Sequence, residues 1–443
     1  MHIAGHFWRT SFALVMFATA PLGAVRASDV IIDPELTEKL NTLAAPLRPH
    51  LQGTENTRLF VINDDTLNAF ATPDDVVYIH SGLIGKTKNE EELRGVIAHE
   101  LAHVAEKHFL SLDAAGKKAT LTTFGGVLAG IGAAMAGAPQ AGVALASAGQ
   151  AAGISGLLQH TRGQEMEADQ TARKALLAAG LGTQGMADMF RILQTESQLS
   201  YDAPPPYLLT HPMPAGRRLS VQEDNLTEAP QKDLAPTATY LTLKAKVFAL
   251  TNTPPTTLRT FRDESYPARY ARLIATARLG KITEARQEID ALLQENPNDL
   301  GLLDFKATLA LQGGNAAEAL SIWQNLRTAY PKNPVLSFQA AEAARATENL
   351  PLAESLYEET LRIWRDWSEA WYSLGLTYGA ENKLIQSHLS IAESHYYSGH
   401  PEDAKTSLKV AENYFKTTDN KAKNSADIPT WIASLKTRLK LDD

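Results

Sequence analysis

The chain has 443 residues, with 42 Lys plus Arg against 50 Asp plus Glu, a formal charge of −8 and no cysteine. At 44% hydrophobic and 21% charged it is globular in composition, which excludes disordered and collagen-like chains, and its length suggests two or three domains. The acidic balance argues against a nucleic-acid partner, and the missing cysteines exclude disulfides, thiolate metal sites, iron–sulfur clusters and a cysteine nucleophile.

Residues 1–27 read as a secretory signal peptide. Arg9 gives the positive start, Phe12 to Val25 the apolar run, and Val25-Arg26-Ala27 the small residues a signal peptidase reads. The run is short for a membrane anchor and Pro21 interrupts it. Ser28, not Cys, follows the expected cut, which argues against a lipid anchor. Removing residues 1–27 takes away Arg9 and Arg26 and no acid, so the expected mature chain has 416 residues and a charge of −10.

The next stretch mixes helix and strand signals. Asp33 to Leu51 looks helical, with Asp33 as N-cap and Pro34 at the first helical position. Arg58 to Ile62, Asn68 to Ala71 and Val76 to His80 are short strand-type runs separated by Asn-Asp-Asp and Pro-Asp-Asp turns. Asn89 to Phe109 is a strong helix with Leu93, Val96, Ile97, Leu101 and Val104 on its apolar face. Ala119 to Leu158 is mostly Gly and Ala, and Pro139 divides it, which suggests a helical hairpin. Thr161 to Leu181 is another helix, closed by Gly180 and Gly182. A loop rich in proline runs from Pro204 to Pro214, and 222–262 reads as a linker with one helical patch, Tyr240 to Leu250.

Beyond the linker lies a repeat. Ala285, Ala319 and Ala353 recur every 34 residues, as do Gly280 with Gly314 and Pro297 with Pro331. Ile289, Trp323 and Tyr357 fall four positions after each alanine. That is the period of the tetratricopeptide helix–turn–helix, where the small residue marks a close helix crossing. Trp371, Gly375 and Tyr378 begin a fourth unit, after which the register slips and Gly399 and Ala404 restart it.

One constellation carries chemistry. His99-Glu100-Leu101-Ala102-His103 is an HExxH motif within the strong helix. Residues four apart share a helix face, so both imidazoles can reach one ion. Neutral imidazole suits zinc, and three protein ligands leave a fourth position for water, whose pKa the metal lowers. Glu100 is the natural base beside it. A solvated helix face could carry the same letters, but the apolar residues around the motif describe a buried helix. Glu165-Met166-Glu167-Ala168-Asp169 offers the further carboxylates, with Glu165 and Asp169 on one face. A carboxylate ligand and a second acid that orients a ligand imidazole is a common metal-site arrangement; an acidic surface cluster is the plainer alternative.

Taken together, Asn68 to Pro73, Ser81-Gly82-Leu83, His99 to His103 with His108, Glu165-xx-Ala168-Asp169, and Thr210-His211-Pro212 with Arg217 resemble the HtpX-like zinc metallopeptidase family, which includes the CAAX-prenyl endopeptidases. The resemblance implies that His99, His103 and Glu165 bind one zinc ion per chain. It further implies that Glu100 is the catalytic base and that Asp169 holds a ligand histidine. Where the family often has Pro-Gly-Gly, this chain has Pro73-Asp74-Asp75. Val76 to His80 is then expected to be the edge strand that pairs with an extended substrate. His80 and His108 are read as structural.

His211, on its proline-bounded loop, either guards the fourth metal position in the resting enzyme, hydrogen-bonds the oxyanion during attack, or caps something local. Arg217 is a candidate for holding that loop or a carboxylate near the site. The Gly/Ala stretch 119–158 is either a mobile apolar flap that touches the site or the outer membrane, or simply buried.

The expected architecture is an α+β zincin metallopeptidase domain (28–255) followed by an all-α tetratricopeptide-repeat solenoid (256–443). Family members of this plan are exported and act in outer-membrane assembly. The resemblance therefore implies a periplasmic zinc endopeptidase whose repeats recruit unfolded or stalled outer-membrane β-barrel proteins, or the machinery that assembles them. A second reading is a periplasmic chaperone or assembly adaptor with latent proteolytic activity.

Overall fold

Asp33 starts the first helix by accepting the Leu36 amide on its side chain at 2.9 Å, with Pro34 fixing the first helical residue. The structure is a computed structural model that describes residues 30–72, 75–108, 151–199, 207–208, 211, 235–417 and 427–441. The expected signal peptide, Pro139 and Arg217 lie outside these residues, as does most of the Gly/Ala stretch. Helix α1 spans Pro34–Ala44, and the expected continuation to Leu51 is broken by Pro46 and Pro49 into a short 3-10 turn, Arg48–His50.

Four strands follow one another closely: β1 (Val30–Ile31), β2 (Arg58–Ile62), β3 (Ala69–Thr72) and β4 (Val76–His80). Their order in the sheet is β1-β2-β4-β3. Strand β4 pairs parallel with β2 on one side and antiparallel with β3 on the other. It is therefore interior, which corrects the expectation that Val76 to His80 forms the edge. The tight turn is the reason: the Asp75 amide bonds the Thr72 carbonyl at 3.2 Å and Asp75 takes a φ of 57°, folding β3 back against β4. Among the described residues, the edge on that side is β3. Strand β1, two residues long, carries no pattern that a sequence reading could catch.

Helices α2 (Ser81–Lys86), α3 (Glu90–Ala105), α4 (Ala151–Ala178) and α5 (Gln184–Leu199) complete the first half. Helix α4 starts ten residues before the expected Thr161, so the end of the Gly/Ala stretch is continuous with the helix that bears Glu165. No described helix is long and apolar enough to cross a membrane. One core gathers Leu59, Val61, Ala69, Ala71, Val77 and Ile79 from one face of the sheet against α1, α3, α4 and α5. Burying an aliphatic side chain of this kind contributes about 1.5–3 kcal/mol before the entropy of ordering is subtracted.

The repeat half begins at α6 (Ala238–Thr251) and α7 (Pro254–Thr260). Four helix pairs follow: α8 (Tyr266–Arg278) with α9 (Ile282–Glu295), α10 (Leu300–Gln312) with α11 (Ala316–Ala329), α12 (Pro334–Ala346) with α13 (Leu350–Ile363), and α14 (Ser368–Ala380) with α15 (Leu384–Tyr397). First helices start at 266, 300, 334 and 368 and second helices at 282, 316, 350 and 384, so both keep a period of 34. Helices α16 (Pro401–Thr417) and α17 (Asp427–Leu439) close the array. The turn inside each pair needs a left-handed residue, supplied by Gly280, Gly314, Glu348 and Asn382 at the same period, then by Gly399. Ala285, Ala319, Ala353 and Ala404 are fully buried at the crossings. In the fourth unit Ser387 takes the small position and donates its hydroxyl to the Gly375 carbonyl at 2.7 Å.

The two halves are built into one another. Helix α6, within the stretch read as a linker, gives Tyr240, Leu243 and Val247 to the first core and Ala245 and Ala249 to the core around α8. The other face of the sheet, Phe60 and Val76, packs into the repeat core with Trp364 and Trp367. Between them lies a buried ionic cluster. Lys246 donates to Asp33 and Glu35 at 2.8 Å each, and Tyr270 donates to Glu35 at 2.6 Å. Residue 301 is glycine because a Cβ there would lie 1.9 Å from a Glu35 carboxylate oxygen.

Candidate metal centre

The site hangs on helix α3. Asn89 caps it by accepting the Glu92 amide at 3.0 Å, and Glu90, Glu91 and Glu92 complement the positive end of the helix dipole. Helix α5 holds it in place at a glycine crossing: a Cβ on Gly95 would lie 2.7 Å from the Met186 Cα, and one on Gly185 only 2.2 Å from the Glu91 carbonyl oxygen. The buried helix presents His99, Glu100 and His103 inward, at 2%, 0% and 5% exposure.

Helix α4 brings the carboxylates. Glu165 is 3.4 Å from Nε2 of His99 and 3.3 Å from Nε2 of His103, and those two nitrogens are 3.1 Å apart. His211 completes the group, with Nδ1 3.0 Å from Glu165 and 3.4 Å from Nε2 of His99. All four side chains are buried, and one donor atom from each lies within 4.8 Å of the others. Imidazole lone pairs aimed at each other and at a carboxylate are satisfied together by a cation among them, so a metal fits this donor set. Glu100 stands beside it: both carboxylate oxygens are buried, without a hydrogen-bond partner among the described residues, and the nearer is 3.6 Å from Nε2 of His211.

Behind the donors is a second ring of contacts. Asp169 lies 3.0 Å from Nδ1 of His99. His108 places Nδ1 2.8 Å from Nδ1 of His103, and Glu167 stands 3.3 Å from the far nitrogen of His108. His108, read as structural from the sequence, thus stands against a donor histidine. Tyr207 is the residue that sequence reasoning missed. Its amide bonds the Leu67 carbonyl at 3.2 Å, its carbonyl accepts the His211 amide at 2.7 Å, and its ring stacks on His211 with centroids 4.5 Å apart. The only sequence hint was the spacing of four between Tyr207 and His211. His80 lies apart, with Nδ1 2.9 Å from the Thr66 hydroxyl and 3.4 Å from Asp64. A cavity of about 490 Å³ opens elsewhere, between α2 and α6 around Gly85, Leu241 and Phe248, and none of the four donors lines it.

The electrostatics separate the two motif histidines. Burial opposes charge on His99, yet the neighbouring Asp169 and Glu165 carboxylates push its pKa up to about 10. Burial dominates for His103 and pushes it down to about 4. Burial also works against the charge on Glu165, but the surrounding imidazoles of His211, His103 and His99 hold its carboxyl well below the usual range. Glu165 therefore stays ionised, with its carboxylate among the three imidazoles.

Residues 32–224 match "Peptidase family M48". The chain is 30% identical to the "Beta-barrel assembly-enhancing protease" of Yersinia pestis over 339 residues, covering 74% of this chain and 67% of that one. It is 28% identical to the protein of that name from Escherichia coli (strain K12) over 400 residues, covering 88% and 81%. A "Protease HtpX homolog" of Burkholderia cenocepacia is 35% identical over 121 residues, covering 26% and 42%. The family match covers every donor of the buried cluster, and the longer likenesses extend it into the repeats. The chain is therefore a metalloprotease and belongs to peptidase family M48.

Proposed function

We propose that this chain is a zinc-dependent endopeptidase of the bacterial periplasm, built on a zincin domain, that degrades or aids the assembly of misfolded or stalled outer-membrane β-barrel proteins. The observation that carries the chemistry is the buried convergence of His99, His103 and Glu165 beside a Glu100 whose oxygens accept no hydrogen bond from the described residues. His99, His103 and Glu165 would hold one zinc ion, which when bound polarises a peptide carbonyl and acidifies water. An extended substrate pairs with the free edge of β3. Glu100 takes the proton of the attacking water and passes it to the leaving nitrogen. Asp169 and His108 keep the two ligand imidazoles turned inward. His211, already among the donors, fits a guard of the fourth position better than a local cap. The substrate class and compartment are carried over from the names of the relatives and the expected signal peptide, and the repeats offer the surface for protein partners.

The test compares wild type with Glu100→Gln for cleavage of an unfolded protein such as casein and for outer-membrane protein assembly. Loss of a general base lowers turnover by about 10²–10⁴-fold, and zinc content should stay near one per chain. If Glu100→Gln supports assembly in full, the chain is chiefly an assembly adaptor with latent proteolysis. Wild-type cleavage that survives removal of the metal would overturn the enzyme reading.

A further inference from the structure

Phe60, Tyr78 and Phe70 stand directly opposite one another on β2, β4 and β3. Their rings form a row across the sheet, with centroids 6.2 Å and then 5.3 Å apart. One end of the row lies under the repeats, where Trp364 stacks on Phe60 at 4.5 Å. The other end is Phe70, half-buried on β3, the edge strand among the described residues. Its neighbours Ala69 and Ala71 turn to the opposite face, into the core beside α3.

The main chain sets what can be added there. The His80 amide donates to the Asn68 carbonyl at 2.9 Å, so Asn68 and His80 are a hydrogen-bonded pair. Pairs of this kind alternate along an antiparallel ladder, which makes Phe70 and Tyr78 the next one. The amides and carbonyls of Ala69 and Ala71 therefore point away from β4, toward the open edge. A strand added antiparallel to β3 would bond to Ala69 and Ala71. Its residue opposite Phe70 would occupy a non-hydrogen-bonded position, where side chains approach most closely. Aromatic rings pair favourably across strands, by more than their buried area alone.

We infer that Phe70 is a specificity-determining residue: it selects strand-forming substrate segments that carry an aromatic side chain opposite it, extending the row by one ring. The inference rests on the peptidase reading, and it narrows the substrate class from extended chains in general to chains with aromatic residues in a β-type alternation.

The test uses the full chain and a set of twelve-residue Thr/Ser/Val peptides in which one position at a time is Phe or Leu. Wild type should cleave the Phe peptide over its Leu partner by about threefold to tenfold in kcat/KM at one register, the effect expected of an aromatic pair. Phe70→Ala and Phe70→Leu should bring that ratio to within about twofold, the leucine variant keeping the bulk that the fold requires. No preference in wild type, or a preference that survives in both variants, overturns the inference. Fluorescence anisotropy with the same peptides separates it from the peptidase reading. Discrimination in binding without cleavage upholds Phe70 and overturns the protease, and cleavage without discrimination does the reverse.

Discussion

His211 shares its Nδ1 face between Glu165 and His99 and is clamped by Tyr207 through both backbone and ring. A side chain held this way competes with whatever else enters the donor group. His211→Ala should therefore raise kcat on short peptides several-fold, by about 1 kcal/mol of lost competition, comparable to one net hydrogen bond. Steady-state kinetics check it; a fall in kcat would assign His211 to the oxyanion instead. At this scale the sequence was most readable where chemistry is local. HExxH and the Glu165/Asp169 spacing place partners on one helix face, and a four-residue offset says so directly. The contacts that cross elements, the Tyr207 amide on the Leu67 carbonyl and Glu167 on His108, were not readable, because nothing in either segment names the other.

Helix α3 is only as well placed as its crossing with α5 allows. At Gly185 the obstacle is the Glu91 backbone, which cannot rotate away as a side chain would. Gly185→Ala should destabilise the chain by roughly 1–3 kcal/mol and lower the midpoint of a thermal melt. It should weaken metal binding too, since α3 must shift. In the repeats the opposite change is useful. Glu348 sits at a φ of 60° in a turn where Gly280 and Gly314 serve the earlier units. Glu348→Gly should stabilise by roughly 0.5–1 kcal/mol, the relief of left-handed strain less the extra freedom of glycine in the unfolded chain. A urea midpoint measures it. The 34-residue period was legible because alanine and glycine recur at contact positions. It faded where Glu348, Asn382 and Ser387 fill the same places with other chemistry. Helix α5 did carry a signal, with Met186, Met189, Phe190 and Leu193 on one buried face. Strand order carried none: alternation tells which residues are β, not which strand lies beside which.

Across the whole molecule, the junction of the halves is ionic as well as apolar. Burial works against the charge on Glu35, but Lys246 and Lys39 overcome it and bring its pKa down to about 2. A carboxylate whose folded pKa is depressed contributes stability above its unfolded value near 4.5, and loses it as pH falls toward 2. The stability gap between wild type and Glu35→Gln should therefore be widest near neutrality and close between those values. Denaturation at a series of pH values reads it. Lys246→Met takes the buried cation from Asp33 and leaves Glu35 with Lys39 and Tyr270 alone, and should cost about 3–5 kcal/mol. None of this was visible in the sequence, where Lys246 looks like a linker residue and its partners lie more than two hundred positions away. The lock has a kinetic meaning. With α1, the sheet and the repeats joined by buried charge and stacked rings, the span from repeat surface to metal centre should vary little, which small-angle scattering or a pair of spin labels would measure. A protein held on the repeats can then reach the cutting edge only through slack in its own chain, and its effective concentration there is set by that slack. On the proposed function, a folded barrel would have none to spare and a stalled one would trail loose strands, so a rigid junction would serve as a ruler that measures incompleteness.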